Sequence, residues 1–136
     1  MSGFQKDAHI DLNELQNECA IQAQLFNKWG RVWAEATKKR DHFEEKVKTI
    51  RSRLLEDLRK NWRTLGFENN PTGPQAEAYY RSDKIYIKYK QKYIQAKSQS
   101  RTLYVAMRSM EHKKDMLIQM GSTQRAEFNA QCSIKK

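Results

Sequence analysis

RSDKIYIKYKQKYIQAK, Arg81 to Lys97, decides the fold because it can be read two ways. Lys84-Ile85-Tyr86-Ile87-Lys88-Tyr89-Lys90 alternates polar and apolar residues, as a half-buried strand does. Over a longer window, Ile85, Tyr89, Tyr93, Ala96, Ser100, Leu103, Met107, Met110 and Leu117 step by three and four as far as Gly121. That is the period of one helix face. A strand needs a partner, and no second alternating run occurs in the chain. The alternation is a short accident inside a helical period, and the stretch reads as helix.

Upstream, GFENNPTGP (Gly66 to Pro74) holds both prolines and two of the five glycines, so it reads as the turn. Thr72, Pro74 and Gln75 form a helix-start signature: an N-cap threonine, proline in the first turn, and glutamine three residues after the cap. Before the turn, no proline occurs from Asp11 to Leu65, and Gly30 is the single glycine. Apolar positions recur at Leu12, Leu15, Cys19, Ile21 or Gln22, Leu25, Phe26, Trp29, Trp33 and Ala36. They resume at Phe43, Val47, Ile50, Leu54, Leu58, Trp62 and Leu65. Gly30 costs about 1 kcal/mol relative to alanine inside a helix and marks the place to look for a kink.

The predicted fold is all-α: long antiparallel helices forming a helical hairpin with an N-terminal helix. A single helical domain is expected over 1–120, with a flexible or short-helical tail over 121–136. Two helices alone bury little surface, and the chain carries three tryptophans and five methionines. Further burial between subunits is therefore expected, giving a homo-oligomer.

Composition agrees with this class. Of 136 residues, 38% are hydrophobic and 31% charged, lean for a compact core and common in elongated helical proteins. The formal net charge is +10, which points to a polyanionic partner, nucleic acid before an acidic membrane surface or an acidic protein. Cys19 and Cys132 lie near opposite ends, have no metal-like spacing, and read as free thiols in a reducing compartment. The opening MSGFQKDAHIDL lacks the basic-then-apolar order of a signal peptide, and no stretch approaches the ~18 apolar residues that span a bilayer.

Catalysis finds no support in the residues, and no cofactor is implied. His9, His42 and His112 have no recurring acid or cysteine partner. Nothing resembles a glycine-rich phosphate loop, an HExxH pair or a nucleophile elbow. His112 reads as a solvated surface residue, and Glu44 and Glu45 near Lys48 as helix-surface ion pairing.

The basic clusters say more. The first cluster, Lys38, Lys39, Arg40, Lys46, Lys48, Arg51, Arg53, Arg59, Lys60 and Arg63, is accompanied by the acids Asp41, Glu44, Glu45, Glu56 and Asp57. Arg51 and Arg53 have no acid beside them. Two residues apart on a helix, they diverge by about 200° and straddle the apolar seam. Phosphate contact and snorkelling at a helix–helix edge both fit that spacing. The second cluster is Arg81 to Lys97, where six cations, including Lys84, Lys88 and Lys92, face the single acid Asp83. Such an excess attracts a phosphate backbone. Tyrosines can stack unpaired bases, at about 1–3 kcal/mol each. Tyr89 and Tyr93 fall on the seam and read as core, leaving Tyr79, Tyr80 and Tyr86 as the freer candidates.

The layout resembles a known family, the UvsY-like recombination mediators of bacteriophages, over about Leu12 to Met120. The resemblance rests on LFNKWGRVWAEATKKRDHFEEKVKTIRSRLLEDLR (Leu25 to Arg59), the turn NNPTGPQAEAYY (Asn69 to Tyr80) and the closing AMRSMEHKKDMLIQM (Ala106 to Met120). It implies a helical protein that binds single-stranded DNA, assembles as a ring, usually of seven subunits, and acts in the cytoplasm of the infected bacterial host. It also implies help in loading a RecA-like recombinase on DNA coated by single-strand-binding protein. The family's basic pair spaced by one residue matches Arg51 and Arg53. The strongly basic second helix and Trp62 depart from the family pattern, which leaves the DNA path open between the two helices. A helical structural or assembly adaptor of a phage, docking an acidic protein, is the alternative.

Overall fold

The helical period wins throughout. The structure, a computed structural model, describes residues 3–134 and contains no strand among them. Residues 1–2 and 135–136, which fall in the opening segment and the expected tail, lie outside the described residues, as does the side chain of Leu12, expected on the seam. Helix α1 spans Gly3–Ala8, and a 3-10 turn at Leu12–Glu14 leads into α2, Leu15–Asn61. After the loop come α3, Gly73–Arg81, and α4, Lys84–Ile134. No helix among the described residues is long and apolar enough to cross a membrane.

Local chemistry sets the boundaries. Helix α2 passes through Gly30 without interruption and ends in a turn where Gly66 adopts φ 95°, the left-handed region open to glycine. Thr72 caps α3 as its spacing predicts: its hydroxyl accepts from Gln75 N while the Gln75 side chain accepts from Thr72 N, closing the capping box. One continuous helix was expected beyond this point, but the chain breaks at Ser82–Asp83. The Ser82 hydroxyl donates back to the Ala78 and Tyr79 carbonyls, and Asp83 Oδ1 accepts from Ile85 N and Tyr86 N. Asp83 is thus the N-cap of α4.

That cap sets the phase of α4 and corrects the seam. Ile85, expected inside, is exposed, while Tyr86, expected to be free for stacking, is buried with Val47 and Ile50. A tyrosine ring removes more apolar area from water than an isoleucine, and Tyr86-Tyr89-Tyr93 keeps the step of three and four. Tyr80 packs on the same cluster, edge-on to Tyr86 at 5.2 Å, so it too is structural. On α2, Gln22 rather than Ile21 is buried, and Cys19 and Phe26 are exposed; Leu65, expected to end the seam, lies in the turn after α2 and is exposed too. Helix α4 also runs through Gly121, where the apolar steps stop, to Ile134. A single glycine costs about 1 kcal/mol, and extending a helix already nucleated needs no new nucleus, so Gly121 does not end it.

The contacts divide the chain into two compact units. Unit 2, Glu35–Ser100, pairs α2 with α4 in antiparallel sense and has Val47, Ile50 and Tyr86 at its centre, flanked by Leu54, Tyr80, Tyr89 and Tyr93. Small residues, Ala36, Ala96 and Ser100, fill its remaining seam, with the Ser100 and Thr37 hydroxyls 3.2 Å apart. Unit 1, Met1–Ala34 with Arg101–Lys136, buries Leu15, Ala106, Met110 and Leu117.

Unit 1 also encloses a polar knot. Lys113, 4% exposed, donates to the Asp7 carbonyl at 2.6 Å and lies 2.9 Å from Glu18 Oε2. The Glu18 contact is ionic rather than directional, since that oxygen has no aligned hydrogen-bond donor. Asp7 Oδ2 accepts from Lys28 Nζ at 2.6 Å and Trp29 Nε1 at 2.9 Å, and Phe4 meets the Trp29 ring edge-on at 5.2 Å. These contacts hold α1 against α2 and α4.

Candidate nucleic-acid interface

Charge is unevenly shared between the units. Sixteen of the 26 lysines and arginines and nine of the 16 acids fall within 35–100, so unit 2 carries seven of the ten excess positive charges. Ion pairing then sorts the predicted site residues. Lys48 lies 3.7 Å from Glu44 and 3.5 Å from Glu45. Arg59 and Lys60 both reach Glu56, at 2.8 and 3.2 Å. The hydrogen bond from Arg59, seconded by that from Lys60, holds the Glu56 carboxyl down at about 2, and the same bond raises Arg59. Glu56 therefore stays ionised at neutral pH, and its single negative charge is shared by the two cations. Lys48, Arg59 and Lys60 have local carboxylates and are the weaker third of the predicted set.

Lys46, Arg51, Arg53, Lys84, Lys88 and Lys92 have no acid within ion-pair distance among the described residues. Asp83, the one acid in the basic stretch, is engaged in capping α4. Three of these lysines converge. The Nζ atoms of Lys46, Lys88 and Lys92 lie 5.4, 5.8 and 5.2 Å from the centre of the Tyr89 ring. Lys92 also stands 5.9 Å from the Phe43 ring, itself 6.5 Å from Tyr89. Cation–π attraction at an exposed ring is worth about 0.5–1 kcal/mol, which holds the lysine stems down without neutralising them. Three ammonium groups around one ring repel one another, and an anion placed among them relieves that repulsion. On the other flank of the α4 seam, Lys90 and Lys97 lie 5.3 and 5.9 Å from the Tyr93 ring.

Helix α2 adds a row. Lys39, Lys46, Arg53 and Lys60 recur every seventh residue, a spacing that drifts only about 20° per step around a straight helix. Lys46 fixes this row to the Tyr89 flank. Arg51, about 140° around the helix from Lys46, belongs to the opposite flank. Arg51 and Arg53 are both exposed, and they are not brought together. Lys84 is exposed on the side of α4 away from the seam. Lys39 belongs to the first basic cluster of the sequence, and the seven-residue spacing that sets it in line with Lys46 and Arg53 was legible there. The convergence on Tyr89 was not legible, because it depends on the register between α2 and α4.

No three His, Cys, Asp or Glu side chains converge as metal ligands among the described residues. His9, His42 and His112 are all exposed. The arrangement offers mobile cations over aromatic rings, suited to holding a chain of phosphates by charge. Comparison of the chain with protein-family models, curated proteins and solved structures returns no match.

Proposed function

We propose that this protein binds single-stranded nucleic acid along unit 2, without catalysis of its own. The observation that carries the reading is the group of three lysines around Tyr89 with no carboxylate among them. A sequence-independent phosphate track needs such an uncompensated cluster, and a merely solvated helix face would intersperse acids. In line with its resemblance to UvsY-like mediators, we assign the protein to phage recombination in the infected bacterial cytoplasm. It would help a RecA-like recombinase replace single-strand-binding protein on DNA, working as a ring-like homo-oligomer.

The test is equilibrium binding of the full chain to labelled oligonucleotides across a salt series. The reading expects single strands to bind more tightly than a duplex of equal length. Log affinity should fall linearly with log salt, by about 0.7 for each phosphate neutralised. Retention of single-strand-binding protein on DNA during recombinase loading then tests the mediator role. Absence of oligonucleotide binding, with capture of an acidic protein instead, favours the adaptor.

A further inference from the structure

Within unit 1, α2 and α4 leave an apolar groove of about 390 Å³ walled by Ala23, Phe26, Leu117 and Ile118. Lys114 also lines it, its ammonium 6.0 Å from the Phe26 ring centre and without an acid partner among the described residues. Beneath the groove, Gln22 donates to the Met110 carbonyl at 2.9 Å and keeps its own Oε1 buried with no donor. An occupant that suits this groove brings an apolar group and a carboxylate.

The end of α4 presents those groups and has no cover. Leu15, the first residue of α2, shares a cleft with Met120, Gln124 and Glu127, so α2 begins beside this turn and does not cover Phe128. Yet the stripe that buries Leu117 continues one, two and three turns on, through Gly121 and Gln124 to Phe128. Residues 122–134 are exposed throughout, and Phe128 is 65% exposed. Phe128 follows Glu127 and lies between Gln124 and Gln131 on its helix face. It cannot reach its own groove, since ten residues of rigid helix separate it from Ile118, about 15 Å along the axis.

We propose that the groove takes Phe128 from a second copy of this chain, with that copy's Glu127 meeting Lys114. The seam of α4 is thereby continued by a neighbour beyond the first turn of α2. Groove and tail are different patches, so the contact is heterologous, and repetition builds a ring or an open filament rather than a two-fold dimer. It does not depend on nucleic-acid binding.

The test is the solution mass of the full chain by light scattering over a micromolar concentration series, with helicity followed by circular dichroism. The wild-type chain should exceed 16.2 kDa as concentration rises. Phe128→Asp should weaken assembly roughly tenfold or more with helicity kept, as loss of a central aromatic anchor does. Lys114→Glu and Glu127→Lys should each weaken assembly, and their combination should restore it. A wild-type chain that stays at monomer mass, an unchanged mass for Phe128→Asp, or no recovery in the combined charge reversal would overturn the proposal.

Discussion

Lysine serves two opposite ends in the two units. In unit 1, Lys113 is buried and its ammonium is occupied by the Asp7 carbonyl and Glu18. In unit 2, Lys46, Lys88 and Lys92 stand exposed around Tyr89 with no acid among them. The first arrangement is closed and organises the fold. The second is open, and an anion can complete it. Partnering, more than the number of charges in a stretch, separates structural cations from candidate ligand contacts.

The largest expected effect lies on the closed side. Lys113→Met leaves Glu18 partly buried without its counter-ion, and breaking such a pair costs on the order of 3 kcal/mol. Denaturant unfolding should report that loss, and a combined Glu18→Gln, Lys113→Met chain should regain most of it. If Lys113→Met unfolds like wild type, the contrast between the units is not one of structure against binding.

Next in size are Arg51→Ala and Arg53→Ala made together. They lie on opposite flanks of α2 and pair with no acid among the described residues. Binding of all single strands should weaken alike, and the salt slope should become shallower by about one unit. Each arginine alone separates the flanks: Arg53, in line with Lys46, should matter more than Arg51. Equal losses would place nucleic acid on both flanks.

The smallest effect concerns acid. The hydrogen bond from Lys28 holds the Asp7 carboxyl below its ordinary 3.8, helped by Trp29 and the charges of Lys28 and Lys113 and opposed by burial. Since the folded value is the lower one, Asp7 stabilises the docked α1 fully above the ordinary value. That contribution disappears as pH falls through the depressed value. Tryptophan fluorescence followed from pH 6 to pH 2 should show a step below the usual carboxylate range that Asp7→Asn abolishes. An unchanged step in Asp7→Asn would assign the transition to another carboxyl.

Much of the fold was legible because burial period and cap chemistry are local. The steps from Val47 to Leu58, the turn from Gly66 to Pro74 and the Thr72–Gln75 box all needed only neighbouring residues. The failures came where one signal was read without its rival. Asp83 followed by an apolar run is itself a helix-start signature, and reading it as a charge alone hid both the break after α3 and the burial of Tyr86. Gly121 was given too much weight, since one glycine does not stop a long helix already formed before it. For the candidate site, the sequence supplied the residues but not their neighbours. Lys46 and Lys88 are 42 positions apart, and only the pairing of α2 with α4 sets both beside one ring.

The most direct measurement is the salt dependence of single-strand binding by a Lys46→Ala, Lys88→Ala, Lys92→Ala chain, compared with wild type at matched helicity and subunit number. These exposed lysines support no ion pair, so stability should stay within about 0.5 kcal/mol of wild type. Three lost phosphate contacts should remove about two units from the slope of log affinity against log salt. In about 50 mM salt that corresponds to roughly 10²–10³-fold weaker binding. A folded, normally assembled triple variant with unchanged affinity and slope would contradict the account.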